Sequence, residues 1–105
     1  MSRAQDPVTV WCVLVEETIG RGEGQRWAAE EVGSYNTRDE ALSAAERVTR
    51  EYQPQHPAFE KGRKVYELGE GSWMVRLRGA TMDFHFRVTV GKHVTGQGAP
   101  DDAHE

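Results

Sequence analysis

The side chains with the clearest chemical character in this sequence are three arginines and a histidine between residues 76 and 87. Arg76 and Arg78 alternate with apolar residues in one stretch, and His85 and Arg87 do so in the next. Side chains two positions apart lie on the same face of a β-strand. We therefore expect these four side chains, with Met74 beside them, to share one face of a sheet. A cationic surface of this kind suits the binding of an anionic partner.

The nucleophiles in the sequence lack the surroundings that catalysis requires. No serine stands in a nucleophile-elbow motif. Cys12 lies in the middle of an apolar stretch, where a buried thiol is expected to be unreactive. The glycines within residues 20–24 are followed neither by a helical pattern nor by Gly-Lys-Ser/Thr, so they do not indicate a phosphate-binding loop. We predict no catalytic residue.

Candidate metal ligands are equally sparse. Asp83, His85 and His93 form the one loose cluster of ligand types in the sequence. Asp83 and His85 would share a strand face, but one carboxylate and one imidazole do not fill the coordination shell of zinc. We predict no metal site and no cofactor.

Length and composition indicate one small folded domain. The chain has 105 residues, of which 37% are hydrophobic and 29% are charged, as is typical of globular proteins. We expect the domain to span residues 7–92, with a flexible N-terminus over 1–6 and a flexible acidic tail over 93–105. Its single cysteine excludes an internal disulfide and favours a reducing compartment, so a cytoplasmic location is predicted. No apolar run reaches the roughly 18 residues that a membrane span needs.

Charge is distributed unevenly along the chain. The formal net charge is −4, yet residues 61–95 carry 7 Lys and Arg against 3 Asp and Glu. Residues 1–60 carry 6 basic and 11 acidic side chains. Such asymmetry is typical of a chain with an anionic partner, and equally of a chain whose halves attract each other.

Hydrophobic periodicity predicts five strands and one helix in the order β-β-α-β-β-β. The predicted elements are strands over 7–17, 26–35, 63–68 and 72–78, a strand after Gly79–Ala80, and a helix over 36–52. Thr37 followed by Glu40 predicts a capping box at the start of the helix. The fold class is therefore α+β, with a mostly antiparallel five-stranded sheet and one helix packed on one of its faces.

The last two predicted strands form a hairpin with a clear division of faces. Gly79–Ala80 predicts a two-residue turn, which would place Arg76 opposite Asp83. One row of alternate residues is apolar and is predicted to lie under the helix: Trp73, Val75, Leu77, Met82, Phe84, Phe86, Val88 and Val90. The other row then lies on the face that the helix cannot cover.

The first strand is apolar on both of its faces. Val10, Cys12 and Leu14 alternate with Trp11 and Val13, so one apolar row must lie away from the helix. The sequence does not decide which row that is, and Trp11 is included among the candidates for the open face.

These observations predict a small non-catalytic interaction or regulatory module that binds a protein partner, or itself as a homodimer, through the open sheet face. The candidate binding residues are Trp11, Met74, Arg76, Arg78, His85 and Arg87. One alternative is single-stranded nucleic-acid binding through the same basic face. A further alternative is a small enzyme with a pocket between helix and sheet. No membrane association is predicted.

Overall fold

A computed structural model describes residues 9–19, 26–54, 60–80 and 82–94. Its elements are β1 (Trp11–Ile19), β2 (Arg26–Tyr35), α1 (Arg38–Glu51), β3 (Gly62–Gly69), β4 (Ser72–Arg78) and β5 (Asp83–Lys92). The five strands form one sheet in the order β2-β1-β5-β4-β3, and every neighbouring pair is antiparallel. The predicted α+β class and element order are confirmed. Among the described residues, no helix is both long enough and apolar enough to cross a membrane.

The predicted chain ends fall largely outside the described residues. Residues 1–6 and 95–105 belong to the undescribed part of the chain. At the start of the predicted tail, the backbone N–H of His93 donates to the carbonyl of Val10 over 2.8 Å. The sheet hydrogen bonding therefore continues one residue beyond β5.

Helix α1 begins at the capping box that the sequence predicts. The backbone N–H of Glu40 donates to Oγ1 of Thr37 over 3.1 Å, and the N–H of Thr37 donates to Oε1 of Glu40 over 3.3 Å. These bonds satisfy two N–H groups that the first turn leaves without helical partners. At the other end Tyr52 adopts an extended conformation, and Pro54 follows it. The helix is thus bounded by local signals at both ends.

The hydrophobic core lies between α1 and the three central strands. The sheet contributes side chains that are almost fully buried: Val13, Val15, Val75, Leu77, Phe86 and Val88. The helix contributes Ala41, Ala44 and Ala45, whose small side chains allow a close approach to the sheet. Helix α1 packs chiefly against β5, β1 and β2. The opposite face of the sheet therefore has no described element packed upon it.

Arg63 joins the end of α1 to strand β3. Its Nη1 donates to the carbonyl of Thr49 over 2.9 Å, and its Nη2 donates to the carbonyl of Tyr52 over 2.7 Å. The same guanidinium forms two hydrogen bonds with the Glu60 carboxylate, of 2.9 and 2.8 Å. It also lies 5.8 Å from the ring centroid of Phe86. Carbonyls that the helix end leaves without partners are thereby satisfied by a side chain from the sheet.

The β4–β5 hairpin differs from its predicted register by two residues. Arg78 lies opposite Asp83, and Arg76 lies opposite His85. The predicted two-residue turn is therefore wrong: β4 ends at Arg78 and β5 begins at Asp83, and the N–H of Gly79 donates to the carbonyl of Met82 over 3.0 Å. Met82 is 60% exposed, so its predicted place in the core is also wrong. A shift of two residues keeps the side chains within both strands on their predicted faces, because the side-chain period of a strand is two.

Candidate functional site

The candidate site is the open face, which we define as the sheet surface opposite α1. Strand register arranges its side chains in rows that run across the strands. One row follows the pairs Ala29–Glu16, Glu16–Arg87, Arg87–Met74 and Met74–Tyr66. The neighbouring row contains His85, Arg76 and Lys64. The open face thus carries apolar and charged side chains in adjacent positions.

Five of the six predicted site residues are brought together on the open face. Met74 lies opposite Arg87, Arg76 lies opposite His85, and Arg78 occupies the next position along β4. The arginines and His85 are exposed, and Met74 is partly buried. Their role in binding stays a prediction, but their common location follows from the strand register.

One ion pair belongs to this group. Nη2 of Arg76 lies 3.2 Å from Oδ2 of Asp83, and the two side chains are 53% and 54% exposed. An exposed pair of this kind contributes little to stability, on the order of 0–1 kcal/mol. Arg78 and Arg87 form no ion pair with any described residue. The guanidinium groups of these two residues are therefore available to a partner.

Trp11 does not belong to the open face, and its inclusion there is wrong. The structure packs Trp11 against the core on the helix side, with Val13 and Val15. Cζ of Arg38 and Nζ of Lys92 each lie 6.0 Å from its ring centroid. The register of β1 beside β5 explains this placement. It aligns Trp11, Val13 and Val15, which point to the same side of β1, with the buried side of β5.

Trp27 is an exposed aromatic on the open face that the sequence pattern does not single out. Its side chain is 59% exposed, and its ring meets that of His85 edge-on at a centroid distance of 6.3 Å. Tyr66, at the far side of the sheet, is 40% exposed. Trp27 and His85 are 58 positions apart in the chain. Only the β2–β1–β5 register brings them together, so no local signal could have found this contact.

The side chain of Cys12 lies on the open face beside β2, since its alternation partners Trp11 and Val13 face the helix. Cys12 is 9% exposed, and its Sγ lies 3.5 Å from Oε2 of Glu31. Burial raises the pKa of the Cys12 thiol, and the negative charge of Glu31 and its hydrogen bond raise that pKa further. A thiol with a raised pKa is a weak nucleophile near neutral pH. This agrees with a packing role for Cys12.

A surface depression lies apart from the open face, on the helix side of the sheet. An open depression of about 430 Å³ lies between β2 and the start of α1, lined by Tyr35, Asp39, Glu40, Ser43 and Arg47. Glu40 in this depression is already engaged in the capping box. The pocket that the enzyme alternative requires would involve residues 53–62, of which 55–59 are not described. Within the described ranges, no three His, Cys, Asp or Glu side chains are grouped so as to hold a metal ion.

Comparison with known proteins finds no relative. No protein-family model matches the chain, and neither curated proteins nor solved structures give a significant match. What the open face can bind is therefore inferred from its own side chains and from their arrangement.

Proposed function

We propose that this protein is a small interaction module that binds a protein partner, or a second copy of itself, through the open face. The observation that carries the proposal is the combination of exposed Trp27 and Tyr66 with partly buried Met74 on a face that no described element covers. Arginines flank these side chains. Aromatic, Met and Arg side chains are the types enriched in protein interfaces.

A sheet face that contacts only water is expected to carry polar side chains. Along each strand these polar residues then alternate with the apolar residues of the core face. The open face departs from that pattern at Leu14, Trp27, Met74 and Tyr66. An exposed aromatic is costly to leave in water, because its apolar area is large. Binding of a partner would remove this area from water. The lone cysteine of the module further suits a cytoplasmic location.

The test is site-specific photo-crosslinking in cells that make the protein. A photoreactive phenylalanine analogue replaces Met74 in one variant and Glu46, on the exposed side of α1, in the matched control. We expect a discrete crosslinked species from position 74 and none from position 46. Equal yields at the two positions, or no product from position 74, would contradict binding through the open face.

Single-stranded nucleic acid is a second candidate, because the open face combines cations with aromatic rings. Lys64, Arg76 and Arg87 supply positive charge, while Trp27 and His85 supply rings on which bases can stack. Fluorescence anisotropy with labelled oligothymidine and oligouridine at low salt tests this candidate. Binding should weaken steeply with salt if phosphates are contacted. No anisotropy change at about 10 mM salt, where phosphate contacts are strongest, would remove it.

A further inference from the structure

We infer that the partner is a second copy of this chain, bound open face to open face about a two-fold axis that runs parallel to the strands. This inference rests on the proposed binding role of the open face. It adds the identity of the partner and the orientation of the pair, and both follow from how charge is distributed across the sheet.

Charge changes sign from one side of the open face to the other. Among the described side chains there, β1 and β2 contribute the carboxylates Glu16 and Glu31 and no cation. β3 and β4 contribute cations and no carboxylate: Lys64, Arg76 and Arg78. The central strand β5 carries one of each, Asp83 and Arg87. The open face therefore has an acidic half and a basic half.

This separation favours one way of pairing two copies. An axis parallel to the strands reverses the strand order of the second copy, so that its basic half lies over the acidic half of the first. A two-fold axis that also lies midway between the two sheets, but runs perpendicular to the strands, would place β1 over β1 of the second copy. Acidic side chains would then face acidic side chains. Like charges facing each other are unfavourable, whereas complementary charges give orientation and specificity. The isologous contact of a two-fold dimer repeats each favourable pair twice.

The row positions then identify the contacts. With the axis between β1 and β5, β1 lies over β5 of the second copy, and β2 lies over β4. Glu16 then faces Arg87 of the second copy, because both belong to one row. Trp27 faces Arg76 of the second copy, since His85 and Arg76 share its row. An arginine over a tryptophan face is a favourable cation–π arrangement. Arg87, which forms no ion pair with a described residue of its own chain, thus gains a carboxylate partner. Arg76, which pairs with Asp83 in its own chain, gains a contact with an aromatic ring.

The available area indicates a weak dimer. Four strands spaced about 4.8 Å apart and about seven residues long, at about 3.3 Å per residue, overlap over about 19 by 23 Å. Pairing two such faces removes roughly 900 Å² from water in total, which is below the roughly 1,200–2,000 Å² of stable interfaces and within the range of weak, transient ones. We therefore expect dissociation in the micromolar range and weaker association at high salt.

A charge exchange tests the orientation directly. Glu16→Lys and Arg87→Glu each convert both copies of one contact into like-charge pairs, and each should weaken self-association about tenfold or more, or about 1.4 kcal/mol per tenfold. A mixture of the two variants restores both contacts, since the new lysine faces the new glutamate and the native Arg87 faces the native Glu16. Sedimentation velocity from about 1 to 100 μM, a range that brackets the expected dissociation constant, follows the association. Native mass spectrometry with one variant isotopically labelled counts the mixed dimers.

The matched controls change the same charges on the exposed side of α1. Glu46→Lys and Arg47→Glu alter net charge identically and should leave association unchanged, and circular dichroism checks that every variant folds. Wild-type dimers, weakened single variants and a restored mixture support the inference. Dimers that persist in both variants, or a mixture that does not recover, would overturn the proposed orientation. A wild type that is monomeric at the highest concentration would overturn self-association, while crosslinking at position 74 would still decide the proposed function.

Discussion

Arg63 should be one of the most important polar side chains for the stability of this protein. Its side chain is 11% exposed and donates hydrogen bonds to two carbonyls at the end of α1 and to the Glu60 carboxylate. Arg63→Ala removes all of these bonds together. It also leaves Glu60, whose side chain is 22% exposed, without the cation that it faces.

The expected cost follows from the bonds that are lost. Hydrogen bonds that involve a charged group contribute about 1.5–3 kcal/mol each, and bonds that share one donor group are not additive. We expect Arg63→Ala to lower the free energy of unfolding by about 3 kcal/mol, which corresponds to a fall in Tm of roughly 12–24 °C for a domain of this size. Arg63→Lys should lose about half as much, because an ammonium cannot reproduce the planar fork of the guanidinium.

Urea denaturation, followed by far-ultraviolet circular dichroism, measures these changes. The matched control is Lys64→Ala, because Lys64 is exposed on the opposite face and should change stability by less than about 0.5 kcal/mol. Equal midpoints for Arg63→Ala and Lys64→Ala would refute the assigned role.

The effect of Arg63→Ala on stability also depends on pH. Arg63 lowers the pKa of Glu60 below its ordinary value of 4.5, so the pair stabilises the fold above that pH. The contribution of the pair is lost as the pH falls through the lowered pKa, so the difference between Arg63→Ala and wild type should become smaller in acid. It should not vanish, because the bonds from Arg63 to the carbonyls of Thr49 and Tyr52 do not titrate.

Three further outcomes are expected. Phe86→Ala should lower the free energy of unfolding by about 3–5 kcal/mol, because Phe86 is fully buried. Met82→Ala should lower it by less than about 0.5 kcal/mol, because Met82 is exposed. Similar urea midpoints for the two variants would contradict the division of faces. Gly71→Ala should lower the free energy of unfolding by about 1–2 kcal/mol, because Gly71 has φ 86°, which an alanine rarely adopts. Gly69→Ala is the control and should leave the melting temperature nearly unchanged, because no heavy atom lies within 4 Å of the added Cβ. Cys12 should react slowly with a thiol reagent at neutral pH until urea unfolds the protein, because its side chain is buried and burial raises its pKa; fast labelling of the native protein would contradict that burial.

The helix and the faces of the hairpin could be predicted from sequence because their causes are local. The Thr37–Glu40 capping box needs contacts over three residues, and the apolar rows of β4 and β5 follow from an alternation with period two. For the same reason Met74, Arg76, His85 and Arg87 could be assigned to one face even though the predicted register was wrong. An error of two residues in a hairpin changes partners and leaves faces intact.

The sequence by itself therefore determined the elements, their order and the presence of one uncovered sheet face. Only the tertiary structure decided which side of β1 lies on that face, because the side chains on both sides are apolar. Pairing with β5 places Val13 opposite Val90 and Val15 opposite Val88, so Trp11, which shares their side of β1, faces α1. The meeting of Trp27 with His85 and the separation of acidic from basic strands arise in the same way. These features depend on strands that are distant in the chain becoming neighbours, and non-local pairing leaves no periodic signal in the sequence.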